Sequence, residues 1–231
     1  MNFGILLCGG TGSRMGNEFK VPKQYIKVKK LYIFAYSLQI IENHSSIDKI
    51  IICADKSWHK EIEDTISHLG LKKEVLFSEP GETRQMSVYN SMKVAQKLSF
   101  DSNDIVVIHD GARPMINSGI LEDCIEKCKI NDGAIATISV TDTIYQSKNG
   151  DYITNVPKRS SLRAGQTPEA FNLQKYLDVH KKNTISTINS VTGGAEFAAN
   201  NGMKIAFSKG SLNNLKITTR EDLDTFKEMI K

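Results

Sequence analysis

The sequence predicts an α/β fold: a doubly wound, mostly parallel, Rossmann-like sheet with helices on both faces and a projecting β-arm. Two observations carry most of that expectation. Short β-branched runs alternate with amphipathic stretches, and the runs are apolar at nearly every position rather than at every second one. Parallel strands need that continuity, because crossover helices cover both of their faces. The third observation is a glycine-rich segment directly after the first run. Open α/β sheets hold ligands there, beyond the carboxyl ends of their strands.

The elements follow in order. Phe3, Ile5, Leu6 and Leu7 form the first strand, and Ile33–Asn43 has the spacing of an amphipathic helix. Lys49-Ile-Ile-Ile-Cys53 is a buried strand, Trp58–Leu69 a helix, and Glu74-Val-Leu-Phe77 a third strand. A helix over Thr83–Lys97 precedes Asp104-Ile-Val-Val-Ile-His109, the most uniformly β-branched run of the chain. Ser118–Lys129 is helical and Ala134-Ile-Ala-Thr-Ile-Ser-Val140 is a strand. The alternation then breaks. From Tyr145 to Leu162 the chain is polar, contains Gly150 and Pro157, and alternates only weakly, as a hairpin or arm standing off the core would. Without internal repeats or low-complexity linkers, residues 1–231 read as a single domain.

Composition narrows the function classes. A chain of 231 residues can bury a sizeable core, and its net charge of +4 is too small to argue for nucleic acid. The single Trp leaves no aromatic-studded basic face on which bases could stack. No apolar run approaches the ~18 residues of a membrane span, and the N-terminus has no basic leader with a cleavage site. The expectation is a soluble, cytoplasmic protein that binds neither nucleic acid nor membrane. Cys8, Cys53, Cys124 and Cys128 lack metal-site spacing and read as reduced thiols.

The glycine segment is Leu6-Leu-Cys-Gly-Gly-Thr-Gly-Ser-Arg-Met-Gly16, followed by Pro22-Lys23-Gln24-Tyr25. Glycines let backbone N–H groups approach an anion closely, and Arg14 and Lys23 supply countercharge. Gly10-Thr-Gly12-Ser-Arg-Met-Gly16 is one residue too long for a dinucleotide fingerprint, and a Walker loop would need a Gly-Lys pair. A dinucleotide enzyme would also carry an acidic residue about 20 positions on, where this chain has the basic Tyr25-Ile-Lys-Val-Lys-Lys30. At the end of the later strand, His109-Asp-Gly-Ala-Arg-Pro114 puts Asp110 where a hard cation such as Mg²⁺ would meet substrate phosphates. His109 reads as a packed strand-end residue. Arg113 has two uses open to it, contacting phosphate or bracing the loop through Asp110.

These segments resemble, in order and over nearly the whole chain, the cytidylyltransferases that act on polyol phosphates, a nucleotidyltransferase-fold family. The glycine loop is similar to the nucleotidyltransferase signature Gly-Gly-x-Gly-x-Arg-Met-Gly with its downstream lysine. Gly81-Glu-Thr-Arg-Gln-Met-Ser-Val88 resembles the family's cytosine-reading element, and Asn213-Asn-Leu-Lys-Ile-Thr-Thr219 its C-terminal Asn-x-Lys-[IV]-Thr element. The resemblance implies that Arg14, Lys23 and Lys216 are catalytic. It implies that CTP is held by Leu7, Cys8, Gly9, Gly10, Gly12, Gly81, Arg84, Ser87, Asp110, Gly111 and Arg113, with Asp110 also a ligand of Mg²⁺. Thr141-Asp-Thr143, Lys158-Arg159 and the loop Gly165-Gln-Thr-Pro168 resemble the acceptor side, so Thr143, Arg159 and Thr167 are expected to bind the acceptor phosphate.

The implied reaction is transfer of CMP from CTP to a polyol phosphate by a homodimer exchanging the 145–162 arm. Gly9-Gly10, Gly165-Gln-Thr-Pro168 and Asn214-Leu-Lys-Ile-Thr-Thr219 lean toward ribitol 5-phosphate as acceptor, ahead of 2-C-methyl-D-erythritol 4-phosphate and glycerol phosphate. Two features depart from the family pattern: Gly193 in Val191-Thr-Gly-Gly-Ala195, where an Asp is usual, and Arg163 in Leu162-Arg-Ala-Gly-Gln-Thr-Pro168.

Overall fold

A computed structural model describes residues 1–10 and 21–231. The expected β-branched runs form β1 (Asn2–Leu7), β4 (Lys49–Cys53), β5 (Glu74–Ser78), β6 (Ile105–Asp110) and β7 (Gly133–Ser139). The expected helices form α1 (Ile33–Asn43), α2 (His59–Leu69), α3 (Arg84–Gln96) and α4 (Ser118–Lys129). Between β1 and α1 a short hairpin, β2 (Lys27–Val28) and β3 (Leu31–Tyr32), turns through Lys29 and Lys30, both at positive φ.

The rest comprises β8 (Arg163–Asn172), α5 (Leu173–Lys182), α6 (Ile185–Ser190), α7 (Gly194–Asn200), β9 (Ile205–Lys209) and α8 (Arg220–Met229). The seven-stranded sheet has the order β5-β4-β1-β6-β8-β7-β9. β8 alone pairs antiparallel with its neighbours β6 and β7, whereas the other adjacent strands pair in parallel.

Side-chain alternation along each strand feeds two cores. Phe3 and Ile5 of β1 join Ile51, Val106 and Ile108 against α3, α5 and α7, through Val88, Met92, Tyr176, Leu177 and Phe197. On the opposite face Leu6, Ile50, Ile52 and Val107 meet α1, α2 and α4, through Phe34, Leu38, Ile62, Leu121 and Ile125. Period-two exposure to two apolar layers is why these strands are continuously apolar in sequence. A third, smaller cluster packs Leu223 and Phe226 of α8 on Ile26, Val28, Ile33 and Ile217. It ties the C-terminal segment to the start of α1 and fixes the position next to Ile217.

β8 corrects one expectation. Gly165-Gln-Thr-Pro168 is read from the sequence as a loop, yet it lies inside a ten-residue strand that is buried from Gln166 through Phe171. Proline lacks the ladder N–H, which argues against an interior strand. Here the β7–β8 register shifts between Ile135 and Thr137, and Pro168 falls at that irregularity with no paired residue on either neighbour. The arm stands off the sheet as expected. Residues 141–156 are exposed, and the hairpin is held by a single bridge, Gln146 to Asn155. Among the described residues no helix is long and apolar enough to cross a membrane.

Candidate active site

From β1 the chain first builds outward to β4 and β5 and only later returns to lay β6 on the other side of β1. That reversal opens a crevice between the carboxyl ends of β1 and β6, the place where such sheets bind ligands. A cavity of about 370 Å³ occupies it. Leu7, Gly9 and Gly10 line it from the end of β1, Asp110 and Ala112 from the end of β6, and Lys23 and Gln24 from the turn before β2. Gly81, Glu82, Thr83, Arg84 and Ser87 contribute from the start of α3, and Lys216 from the segment between β9 and α8.

The sequence-expected residues therefore fall into four groups. Leu7, Gly9, Gly10, Lys23, Gly81, Arg84, Ser87, Asp110 and Lys216 share one cavity. Cys8, Gly111, Arg113 and Thr167 do not line it, but Cys8 and Gly111 adjoin lining residues in the chain, and Arg113 and Thr167 are hydrogen-bonded to Asp110. Thr143 and Arg159 sit exposed on the arm, where Arg159 Nη1 donates to the Thr141 carbonyl at 2.7 Å; none of the described lining residues comes from the arm. Gly12 and Arg14 lie outside the described residues.

Local chemistry explains how the wall is held. Buried Gln24 donates from Nε2 to the carbonyls of Cys8 (2.6 Å) and Gly10 (2.7 Å), and Tyr25 Oη donates to Cys8 as well (3.2 Å). These bonds hold the opening of the glycine loop. Thr83 caps α3, its hydroxyl accepting from Met86 N at 3.2 Å. Ser87 Oγ accepts from Gly81 N (3.0 Å) and donates to the Thr83 carbonyl (2.9 Å), so its hydroxyl fixes this loop.

The glycines serve packing as much as ligand approach. A Cβ on Gly9 would lie 2.5 Å from Pro80 Cβ, and one on Gly81 would lie 2.4 Å from Met86 Cβ. Gly81 lines the cavity with its backbone, while Met86 excludes a Cβ at this position. Gly10 has nothing within 4 Å and keeps its open side toward the cavity.

Charge alternates across the floor. Asp110 accepts from Arg84 Nε on Oδ1 (3.1 Å) and from Lys216 Nζ on Oδ2 (2.7 Å). Arg84 reaches on through Nη2 to Glu169 Oε2 at 2.9 Å. Burial by itself would raise the Asp110 carboxyl, but the charges of Arg84 and Lys216 outweigh it and hold the group well below the usual carboxylate range. Arg84 is likewise pulled down by burial and, more strongly, up by Asp110 and Glu169.

Lys216 is placed by its surroundings. Ile217 N donates to the Ala112 carbonyl at 2.8 Å, tying the lysine's segment to the loop after β6. Arg113 Nη1 donates to the Asn214 carbonyl (2.7 Å), and Asn214 Nδ2 to the Thr167 carbonyl (2.8 Å). Arg113 is a brace for the Lys216 segment. Of the residues that sequence reasoning missed, Gln24 stood beside the noted Lys23, and Glu169 is the charged residue within the buried part of β8, Gln166–Phe171.

His109 is a strut. Its Nε2–H donates to the Arg113 carbonyl at 3.0 Å, while Nδ1 accepts from Thr167 Oγ1 at 3.1 Å, whose hydroxyl oxygen in turn accepts from Asp110 N at 3.2 Å. That pattern uses the neutral imidazole fully. Burial pushes its pKa down to about 4. An unfolded His takes its proton near ~6.5, so between those values the unfolded chain binds more protons and stability rises with pH. The loss on acidifying through this window is about 3 kcal/mol at most from His109. Urea melts at pH 4.5 and 7 should show a smaller pH difference for His109→Gln than for the wild type; equal differences would refute this account.

An open α/β crevice lined by Gly9 and Gly10 at the end of β1, by Lys23, Arg84 and Lys216 and by the Asp110 carboxylate has the composition of a nucleotidyltransferase site. The profile of the 2-C-methyl-D-erythritol 4-phosphate cytidylyltransferase family matches residues 3–231, and the chain belongs to that family. It is 31% identical to a ribitol-5-phosphate cytidylyltransferase of Streptococcus pneumoniae serotype 2 (strain D39 / NCTC 7466) over 234 residues, covering all of this chain and 99% of the relative. It is 30% identical over 231 residues to a ribitol-5-phosphate cytidylyltransferase of Vibrio parahaemolyticus serotype O3:K6, covering all of this chain and 96% of that relative. In fold it is similar to the crystal structure of 4-diphosphocytidyl-2C-methyl-D-erythritol synthase from Anaerococcus prevotii. The TM-score is 0.83 at 22% identity, over 99% of this chain and 95% of that one.

Proposed function

We propose that the protein transfers CMP from CTP to D-ribitol 5-phosphate, giving CDP-ribitol and pyrophosphate. The observation that carries the nucleotidyl-transfer part is the presence of Lys23, Arg84 and Lys216 around one cavity at the β1/β6 switch point. The acceptor follows the relatives at 30–31% identity, which are named for ribitol 5-phosphate. The Gly9-Gly10 pair weighs less than the sequence suggests, because Pro80 leaves no room for a Cβ at Gly9 whatever the acceptor.

A phosphate monoester is already an anionic nucleophile, so no strong base is required. Its oxygen attacks the α-phosphorus of CTP in line and pyrophosphate leaves from the opposite side. The chain's task is to bring two anions together and to neutralise the charge that grows on the α-phosphoryl oxygens. Lys23 and Lys216 face that charge from two sides of the cavity. The Gly9–Gly10 backbone, with Arg14 beyond it, receives the β- and γ-phosphates. Cytosine lies toward Leu7, Gly81 and Arg84.

Among the described residues no three carboxylates, histidines or cysteines gather to cage a metal. Mg²⁺ is commonly held by one or two carboxylates with phosphates and water, and Asp110, ionised at the cavity floor, fits that donor set. Bound there, Mg²⁺ would neutralise phosphate charge and favour departure of pyrophosphate.

Arg159, with Thr143 and Thr167, is assigned to the acceptor phosphate. Because Arg159 lies on the exposed arm, a homodimer in which the arm reaches the neighbouring cavity would deliver it. The exposed Tyr145, Tyr152, Ile153 and Val156 on that arm supply apolar surface for such a contact. A monomer mass by sedimentation at micromolar concentration would overturn the dimer. The buried free thiols Cys8, Cys53, Cys124 and Cys128 suit the reducing cytoplasm.

Pyrophosphate release from CTP and Mg²⁺, measured with ribitol 5-phosphate, methylerythritol 4-phosphate and the glycerol phosphates, tests the reading. Ribitol 5-phosphate should give the highest kcat/KM, by at least about tenfold, the discrimination that one or two mismatched hydroxyls impose. A preference for methylerythritol 4-phosphate would replace the acceptor and keep the site.

A further inference from the structure

Glu169 is almost fully enclosed, at 3% exposure, and both of its oxygens are committed. Oε2 accepts from Arg84 Nη2 at 2.9 Å, and Oε1 accepts from Ala195 N at 2.7 Å. It does not line the cavity, yet it is the second anion in the row Glu169–Arg84–Asp110–Lys216. The space it occupies exists because residue 194 has no side chain. A Cβ there would stand 3.0 Å from each Glu169 carboxylate oxygen and 2.9 Å from Tyr176 Oη. Gly193, the N-cap residue of α7, offers no side-chain bond to that helix. The acceptor at the start of α7 comes instead from β8.

We propose that Glu169 is a positioning residue of the transferase site, clamping Arg84 from behind, and that Gly194 is glycine so that this carboxylate can reach its place. The proposal rests on the nucleotidyl-transfer reading of the cavity. An Arg fork held at both ends cannot rotate, so its Nε–H stays on Asp110 and the guanidinium keeps its place in the cavity lining. Without Glu169, three neighbouring charges would sum to +1 in a poorly solvated place, and Arg84 would be free to swing. Asp110, and Lys216 bound to it, would lose their fixed geometry.

Glutamine at 169 is the sharpest probe. It keeps the volume, but it can accept only through one oxygen and presents an NH₂ to the other donor. Glu169→Gln should lower kcat/KM for CTP by about tenfold to a hundredfold, the range found when a partner behind a ligating group is removed. The thermal midpoint should stay within a few degrees of wild type. The second experiment moves the charge. The double variant Glu169→Ala with Gly194→Asp is built on Tyr176→Phe, which removes the hydroxyl that a Cβ at 194 would meet at 2.9 Å, and is compared with Glu169→Ala on that same background. In it, the room vacated on β8 accepts the new carboxylate from the neighbouring α7.

That relocation should recover at least tenfold of the kcat/KM lost in Glu169→Ala on the Tyr176→Phe background, and should restore calorimetric binding of CTP. A residue with a merely structural role would regain stability without regaining CTP affinity. Wild-type kcat/KM in Glu169→Gln would overturn the proposal, and so would a double variant no better than Glu169→Ala. If Glu169→Gln does not fold, the double variant decides alone. Absence of CTP binding and turnover in the wild type would mark failure of the nucleotidyl-transfer reading instead.

Discussion

Lys216→Ala should lower kcat by about 10²–10³ while the protein remains folded and still binds CTP. That magnitude is what the loss of one preorganised charge-stabilising donor costs in an enclosed site. Stability should hardly change, because Lys216 is about a third exposed at 34% and Asp110 keeps its bond to Arg84 when the lysine is gone. The backbone contact from Ile217 to Ala112 and the Arg113–Asn214 brace do not involve the lysine side chain. A fall in kcat with little change in thermal midpoint would separate chemistry from folding. Turnover above a tenth of wild type would remove Lys216 from the mechanism. Lys216→Arg should restore little, since a planar fork does not reproduce a compact charge held at 2.7 Å from one carboxylate oxygen.

Asp110→Asn should have the other large effect, on both stability and nucleotide binding. The amide keeps the shape but leaves the positive charges of Arg84 and Lys216 without their shared anion, and its NH₂ must face one of them. Breaking a fully buried ion pair costs ~3–5 kcal/mol. Here Glu169 continues to hold Arg84 and Lys216 can turn toward solvent, so about 2 kcal/mol is the expected loss. For a domain of this size that is a fall of roughly 4–8 °C in the thermal midpoint. Mg²⁺-dependent stabilisation by CTP should disappear as well, because Asp110, the carboxylate assigned to the metal, is gone. A variant that retains wild-type CTP affinity with Mg²⁺ would take the metal away from Asp110.

Much of this architecture was legible because local and global preferences agree. The helices at Ile33–Asn43 and Ser118–Lys129 and the strand at Lys49–Cys53 have the bounds that periodicity gives them. Those segments are uniform in pattern and flanked by polar breaks. β8 was not legible, since glycine and proline mark loops, and only the β7–β8 register shift makes room for Pro168. The site divides in the same way. Lys23, Arg84, Asp110 and Lys216 belong to recognisable strings; Glu169 does not, and its function comes from the distance to Arg84.

The sequence by itself determined the sheet class and the segments that supply the crevice, while the strand order came from the structure. Continuous apolar runs can be satisfied only by burial on both faces, and the strings that follow them can lie only at the strand ends. Tertiary structure decided what each polar group does once there. It made His109 a neutral strut and Arg113 a brace, gave Gly9 and Gly81 to Pro80 and Met86, and set Glu169 behind Arg84. The physical reason is range. Patterning acts along the chain, whereas a buried charge or a missing Cβ is defined by atoms that arrive from distant segments, as Glu169 does 85 residues from Arg84.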